Sequence, residues 1–498
     1  MNIATILDMA AEAFGDRVAI VNGASRLTYA DVRARAQAAA ARIRASGCAY
    51  VAMLDVNSPA ATVGIFAAAY AGVPYVPINY RLTRGEINEL IARVAPALLI
   101  VGAESRRSVD PRDDVTLIDR AAFLALPEAG EPIEPGDDPR AIAIQLFTSG
   151  TTGKPKAAIL RHENLMSYIV GTVEFAAAGE DDAILVTVPP YHIAGISSVL
   201  SSTYACRRVV QLESFDPAAW LDACRRENVS NAFLVPTMLA RIVDHLEASG
   251  EAAKLPSLRA IAYGGGKMPL TTIQKAMRLF EGVDFTNAYG LTETSSTIAV
   301  LGPDDHRAAA ASDDAEVQKR LTSVGRATGA VEIQVRDEDG TPLPHGQAGL
   351  IFVRGGQVSG EYLAQGSQLD AEGWFSTRDR GWLDVEGYLF LDGRADDVIV
   401  RGGENISPGE IEDVLLSHPS VADVAVVAMP DEQWGEGVAA AIVLKDGCAV
   451  SAEELQTLVR GQLRSSRVPQ AVVFKDQLPY NETGKVLRRV IRQEFVKP

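Results

Sequence analysis

The chain has only four cysteines, Cys48, Cys206, Cys224 and Cys448, and no two form a CxxC pair or join a Cys/His cluster. That argues against a disulfide framework and against a structural zinc site. Also missing is any uninterrupted apolar run near the ~18 residues that a membrane-spanning helix needs. The stretch from Ala68 to Val76 is cut by Gly72 and Pro74. The segment Met1 to Asp8 carries no basic cluster and meets an acid early, so no secretory signal is expected and a cytoplasmic location is. Basic side chains are in deficit: 47 Lys and Arg against 64 Asp and Glu leave a formal net charge of −17. Such a surface repels nucleic acid and anionic membranes, so neither is an expected partner. Any bound polyanion must sit in a locally basic pocket.

At 498 residues the chain exceeds one compact core, and two or more domains are expected. The basic pocket has an evident candidate. Leu146-Phe-Thr-Ser-Gly-Thr-Thr-Gly-Lys-Pro-Lys156 places two Gly, four Ser/Thr hydroxyls and two Lys directly after the apolar run Ala141 to Phe147. Backbone N–H groups in such a loop form a concavity for phosphate, hydroxyls bond its oxygens and Lys adds charge. The Walker A spacing fails, because Pro155 stands where the second Gly would fall.

Elsewhere the rhythm is α/β. A helix is expected from Asp31 to Ser46 with Thr28 as N-cap, and another from Pro59 to Tyr70. Buried parallel strands are expected at Tyr50 to Leu54, Ala97 to Val101, Val115 to Ile118, Ile184 to Val188, Val229 to Val235 and Leu258 to Tyr263. The last three end in Pro189-Pro190, Pro236 and Gly264-Gly265-Gly266. Such ends are where α/β sheets present ligand-binding loops. From Gly325 to Phe390 short alternating segments with Gly turns predict a small β subdomain. Beyond Asp392 the pattern is α+β, with a helix over Ser407 to Ser417, strands over Val421 to Met429 and Gly437 to Leu444, a helix over Ala452 to Leu463 and a basic helix around Gly484 to Phe495. About a hundred residues of this kind suffice for an independent domain.

Four further motifs follow the loop: Pro189-Pro-Tyr-His192-Ile-Ala-Gly195, Tyr289-Gly-Leu-Thr-Glu293, Gly393-Arg394-Ala-Asp396-Asp-Val-Ile-Val-Arg-Gly-Gly403-Glu-Asn, and Asn481-Glu-Thr-Gly484-Lys485. In this order the five resemble the adenylate-forming superfamily of acyl-CoA synthetases, peptide-synthetase adenylation domains and luciferases. The resemblance covers essentially the whole chain. It implies an α/β fold in which residues 1–393 form a large adenylating domain of α/β sheets plus a small β subdomain. Residues 394–396 would be a hinge around Asp396, and residues 397–498 a small mobile α+β domain. It implies an AMP-forming acid–thiol ligase using ATP, Mg2+ and CoA, with a carboxylic acid as the small-molecule partner. The oligomeric state is left open, a homodimer among the options.

The resemblance also assigns roles. Thr148, Ser149, Gly150, Thr151, Thr152, Gly153 and Lys156 would hold the β- and γ-phosphates. Thr292 would touch the α-phosphate and Glu293 would ligate Mg2+. Tyr289 would stack near adenine against Gly264, Gly265 and Gly266, with Asn287 and Gly290 alongside. Asp379 and Arg394 would meet the ribose, Arg378 standing where the family usually has Gly. Lys485 would bridge a carboxylate oxygen and the α-phosphate, and His192 would assist. Gly402, Gly403 and Trp434 would line the pantetheine path. Taken singly, Glu293 reads as a helix cap, His192 as a turn histidine and Lys485 as a solvated lysine; the collinear motifs reverse those readings.

The residues matching the family's acyl pocket, among them His192, Ile193, Gly195, Val235, Gly264 and Thr294, are apolar or small. No Asp lies in Tyr191 to Ser197, so a buried substrate ammonium would find no partner. A monocarboxylic acid, fatty, aromatic or alicyclic, is the expectation. Two competitors remain: transfer of the acyl group to a carrier-protein thiol, and a non-catalytic nucleotide-binding protein. The presence of Lys485 and Glu293 argues against the second. Luciferase-type oxygenation of the adenylate is the rare variant.

Overall fold

The computed structural model describes residues 1–127, 131–148, 155–250, 253–329, 331–480 and 486–496. The chain divides into two compact units: 1–332 with 353–375, and 333–352 with 376–498. Elements form where the sequence expects them. Thr28 caps the helix Tyr29–Ser46 through a reciprocal capping box with Asp31, and Gly47 ends it in the left-handed region. Thr83 and Glu86 start Arg84–Arg93 in the same way. Each such cap is worth about 1 kcal/mol. The helix Pro59–Ala71 has no polar face and is buried from Pro59 through Tyr70, which is the only stable setting for an all-round apolar helix.

Among its described residues the first unit carries two large sheets. One has nine strands in the order Arg326–Ala327, Ser296–Leu301, Asp284–Leu291, Ala260–Gly264, Asn231–Leu234, Ala183–Val186, Arg208–Gln211, Val18–Asn22 and Ser25–Thr28. Asp284–Leu291 through Val18–Asn22 run parallel, so their carboxyl ends lie along one edge. The other has eight, in the order Gly366–Ser367, Glu361–Tyr362, Lys156–Arg161, Ile142–Thr148, Tyr75–Pro77, Tyr50–Leu54, Ala97–Val101 and Val115–Asp119. One core of the first unit gathers Ile6, Leu7, Phe66, Tyr70 and Tyr75 around the helix Pro59–Ala71, and a second gathers Trp220, Leu239, Tyr263 and Phe285.

In the second unit Val421–Asp431 and Gly435–Leu444 pair antiparallel, and Ala471–Lys475 adds to Gly435–Leu444 in parallel. Apolar side chains cover both faces of this sheet: Ile411, Leu415 and Leu455 on one, Leu478 and Ile491 on the other. A separate four-stranded sheet contains Phe375–Leu383 and Leu389–Arg394. The α/β expectation with a smaller α+β part is met. The last helix is shorter than expected, Arg488–Phe495. No helix among the described residues is long and apolar enough to cross a membrane.

His162 is buried at the start of its helix, where Nδ1 accepts a hydrogen bond from the Ile3 amide at 3.2 Å. Burial, helped by the N-terminal ammonium, pushes its pKa down to about 4. An unfolded histidine titrates near 6.5, so the unfolded chain binds the proton first as pH falls. The stability held by neutral His162 is complete above about pH 6.5 and is lost as pH drops toward 4. Burial raises the carboxyls of Asp8, Asp55, Asp244 and Asp423, which act in the opposite sense. The informative measurement is therefore a difference. The fall in thermal midpoint between pH 7 and pH 5 should be smaller in His162→Gln than in wild type; equal falls would refute it.

Candidate active site

The glycine–threonine loop is flanked by antiparallel strands, with Thr148 paired to Lys156 and Phe147 to Ala157. It thus belongs to a hairpin, unlike the strand-to-helix turn of a P-loop. Ser149, Gly150, Thr151, Thr152 and Gly153 lie outside the described residues. The stem is held firmly: Arg93 donates to the Pro155 carbonyl at 2.8 Å, and its guanidinium lies 4.8 Å over the Phe147 ring. Lys156 Nζ lies 5.1 Å over the ring of Tyr362, whose strand pairs with that of Lys156.

Tyr362 leads directly to the acid. Its hydroxyl donates to Glu293 Oε1 at 2.7 Å. Glu293 is buried in the short turn Thr292–Thr294, and its carbonyl accepts the amides of Ser359 and Gly360 at 2.9 and 3.0 Å. Thr294 Oγ1 donates to Ser296 O at 2.8 Å and accepts the Leu291 amide at 3.0 Å. Ser295 and Ser296 follow at φ of 56° and 122°. Such backbone costs about 1–3 kcal/mol per residue and persists only where the surroundings over-determine it. Gln357 supplies part of that restraint, donating to the carbonyls of Thr294 and Thr297 at 3.1 and 2.8 Å.

The remaining first-unit candidates lie at neighbouring strand ends. Asn287 and Tyr263 are register partners, as are Gly264 and Ala288. A side chain at Gly264 would put its Cβ 2.1 Å from the Ala288 carbonyl, so only glycine fits there. Gly265 and Gly266 face Val235 and Pro236 across ordinary van der Waals distances. Asn287 donates to the Ser323 carbonyl at 3.0 Å, and Tyr289 is buried, with Gly290 next to it in the same strand. His192 precedes the helix Ile193–Tyr204, which carries Ile193 and Gly195, and that helix reaches the acidic turn through Ser197 Oγ, 3.1 Å from Ser296 Oγ. Burial and the neighbouring Arg81 charge push His192 down to about 4, so it is neutral at pH 7. The structure thus links Thr148, Lys156, Glu293, Thr294 and the helix that follows His192, while Gly264 to Gly266 sit at the end of the strand paired with Asp284–Leu291.

Within the second unit, Asp379 and Arg394 are register partners on adjacent strands, with Arg394 Nε donating to Asp379 Oδ1 at 2.8 Å. Arg378 stands at φ 60°, the left-handed region glycine enters freely and arginine at about 1–2 kcal/mol. Its guanidinium reaches Asp396 at 3.2 Å, a partly exposed pair that offsets this only in part. Gly402, at φ 58°, donates its amide to the Trp434 carbonyl at 2.9 Å and leaves room for the indole. Gly403 follows at φ 83°. Trp434 is 44% exposed, with the Arg401 guanidinium 5.9 Å from its ring. Lys485 lies outside the described residues; its flanks Tyr480 and Val486 pair across the gap.

The family model described as AMP-binding enzyme matches residues 7–363, and that of the AMP-binding enzyme C-terminal domain matches residues 410–485. The chain belongs to the AMP-binding enzyme family. Family relatives include an indoleacetate–CoA ligase of Aromatoleum aromaticum, 34% identical over 94% of this chain and 93% of the relative. A feruloyl-CoA synthase of Amycolatopsis is 32% identical over 96% of each. Among solved structures of the family, o-succinylbenzoate CoA synthetase from Bacillus subtilis, in complex with its acyl-adenylate, superposes with a TM-score of 0.83. It is 28% identical and covers 98% of this chain and 97% of its own. The enzyme class expected from the motifs, an AMP-forming acid–CoA ligase, is the class these family members carry.

Does the site suit Mg2+? No group of three or more His, Cys, Asp or Glu side chains among the described residues could hold a metal alone. A single oriented carboxylate is what Mg2+ takes when substrate phosphates and water supply its remaining ligands. Glu293 fits that part. When bound, the ion would neutralise phosphate charge.

Sequence reading missed Tyr362 and Gln357. Tyr362 and Gln357 follow an apolar strand in Gln357-Val-Ser359-Gly360-Glu-Tyr362, and the Ser-Gly break there is the one signal that could have flagged them.

Proposed function

We propose that this protein joins a monocarboxylic acid to CoA in two steps. A carboxylate oxygen attacks the α-phosphorus of ATP; the bond to pyrophosphate breaks and acyl-AMP forms. The CoA thiol, losing its proton, then attacks the acyl carbon; the C–S bond forms as the C–O bond to AMP breaks. Both steps bring anions or electron-rich atoms together, so positioning and charge neutralisation carry the catalysis. The reading rests chiefly on one observation: Glu293, oriented by Tyr362, beside the basic stem of the glycine–threonine loop.

In this reading Thr148, Lys156 and residues 149–153 bind the terminal phosphates, Thr292 meets the α-phosphate and Glu293 holds Mg2+. Gly264 to Gly266, Asn287, Tyr289 and Gly290 form the adenine edge, and Asp379 with Arg394 the ribose clamp. Lys485 offsets charge in the first step. Asp396 is the pivot between a domain of residues 1–393 and one of 397–498, and Gly402, Gly403 and Trp434 admit pantetheine in the second step. His192, neutral, acts by shape and hydrogen bonding near the acyl group. The acid is aromatic or fatty. The apolar segments around His192 and Val235 support both, and the names of the indoleacetate and feruloyl relatives favour aromatic. Delivery to a carrier protein is not favoured, because these relatives are named for CoA.

The test is an assay with ATP, Mg2+ and CoA against indole-3-acetate, ferulate, benzoate and octanoate. AMP, pyrophosphate and a thioester should appear in equal amounts with at least one acid. ADP as product, or no nucleotide consumed with any acid, would overturn the reading.

A further inference from the structure

Gly402 and Gly403 are the tip of a two-residue hairpin whose stem residues, Arg401 and Glu404, are register partners. A type I′ turn requires positive φ at both central positions, and the two glycines supply 58° and 83°. The tip and Trp434 are exposed, so burial does not keep either in place. One short stretch, residues 465–470, does. The Arg401 guanidinium donates to the Ser466 carbonyl at 2.9 Å. Arg467, with a side chain only 14% exposed, donates through one terminal nitrogen to Glu404 and through Nε to Glu410 Oε1 at 2.8 Å. Both stem residues are thus gripped from a single turn, Ser465–Arg467. From the same stretch Gln470 donates to Asp431 Oδ2 at 2.8 Å, and Asp431 Oδ1 accepts the Trp434 amide at 2.9 Å. The Trp434 carbonyl closes the circuit by accepting the Gly402 amide at 2.9 Å.

We infer that Arg467 is a positioning residue for the second half-reaction, fixing the glycine turn against Trp434. The inference rests on the reading of Gly402, Gly403 and Trp434 as the pantetheine path. A flexible thiol arm that passes an exposed turn reaches its reacting position only if the turn itself is held still. Arginine suits the task, because its planar fork spans two carboxylates on two elements, the strand Glu404–Ile406 and the helix Pro408–Leu416. Hydrogen bonds from Arg467, and then Ser466, hold the Glu404 carboxyl below the usual carboxylate range, so it is ionised at working pH. Both glutamates are partly exposed, and ion pairs in that setting add little stability. The arrangement therefore suits aim better than support of the fold.

The test measures the two half-reactions separately, with whichever acid the panel identifies. In Arg467→Met, kcat/KM for CoA in thioester formation from supplied acyl-adenylate should fall about ten- to a hundredfold. Acid-dependent pyrophosphate release without CoA should keep its kcat and its KM for ATP. Arg467→Lys, able to hold one carboxylate, should recover part of the rate. Glu404→Gln should lose about tenfold, and the double variant no more than Arg467→Met alone, because both changes break one contact. A loss under about fivefold in Arg467→Met, a lysine variant no faster than it, additive losses in the double variant, or an equal fall in both half-reactions overturns the inference. Should Arg467→Met fail to fold, Glu404→Gln decides by the same comparison of half-reactions. Gly403→Val, run in parallel, tells the failures apart. If it leaves thioester formation intact, the pantetheine reading itself is wrong; if it blocks that step while Arg467→Met does not slow it, only the positioning role is.

Discussion

Lys485→Ala should lower acid-dependent pyrophosphate release by about 10²–10³-fold, while acyl-AMP supplied from outside is still converted to thioester. The asymmetry follows from the chemistry. In the first step an anionic oxygen approaches an anionic phosphate, and an ammonium that can bond both offsets the charge that builds between them. In the second step a thiol attacks an already activated carbonyl, and no such cation is required at that point. Rapid-quench measurement of each half-reaction separates the outcomes. If both fall together, the lysine does not act in adenylation alone and the proposed division of labour fails.

The second large effect is expected at Glu293. Glu293→Gln keeps the volume and the hydrogen bond with Tyr362 but removes the charge, and adenylation should fall about 10²–10³-fold. Tyr362→Phe leaves the carboxylate in place but frees its orientation, so its loss should be smaller, about tenfold. The thermal midpoint of Glu293→Gln should be unchanged or higher, because a charge held in a buried, strained turn is retained for function at the expense of stability. A Gln variant within fivefold of wild type, or one less active only because it is unfolded at the assay temperature, would remove Glu293 from the site.

Much of this site could be read from residue order because its chemistry is local. The loop 146–156 announces itself by composition: few other tasks call for two glycines, four hydroxyls and two lysines in one turn. The strand ends at Pro236 and Gly264 to Gly266 were readable because Pro and Gly interrupt the chain regardless of what packs around them. Thr28 and Asp31 cap a helix wherever they stand three residues apart before one. The backbone at Arg378 shows the opposite case. Its left-handed angle could not be derived from an arginine, since that conformation is imposed by the strand pairing around Asp379 and Arg394.

The order of residues alone therefore determined which chemical groups are available and roughly which elements carry them, because caps, breakers and hydrophobic period act over a few residues. What only tertiary structure decided is how those groups are held. Tyr362 reaches Glu293 from 69 positions away, Ser197 meets Ser296 from 99, and Arg467 meets Glu404 from 63. Contacts over such separations exist only once sheet pairing has met the entropy of closing the intervening chain, and no local pattern records which polar partner will then stand opposite.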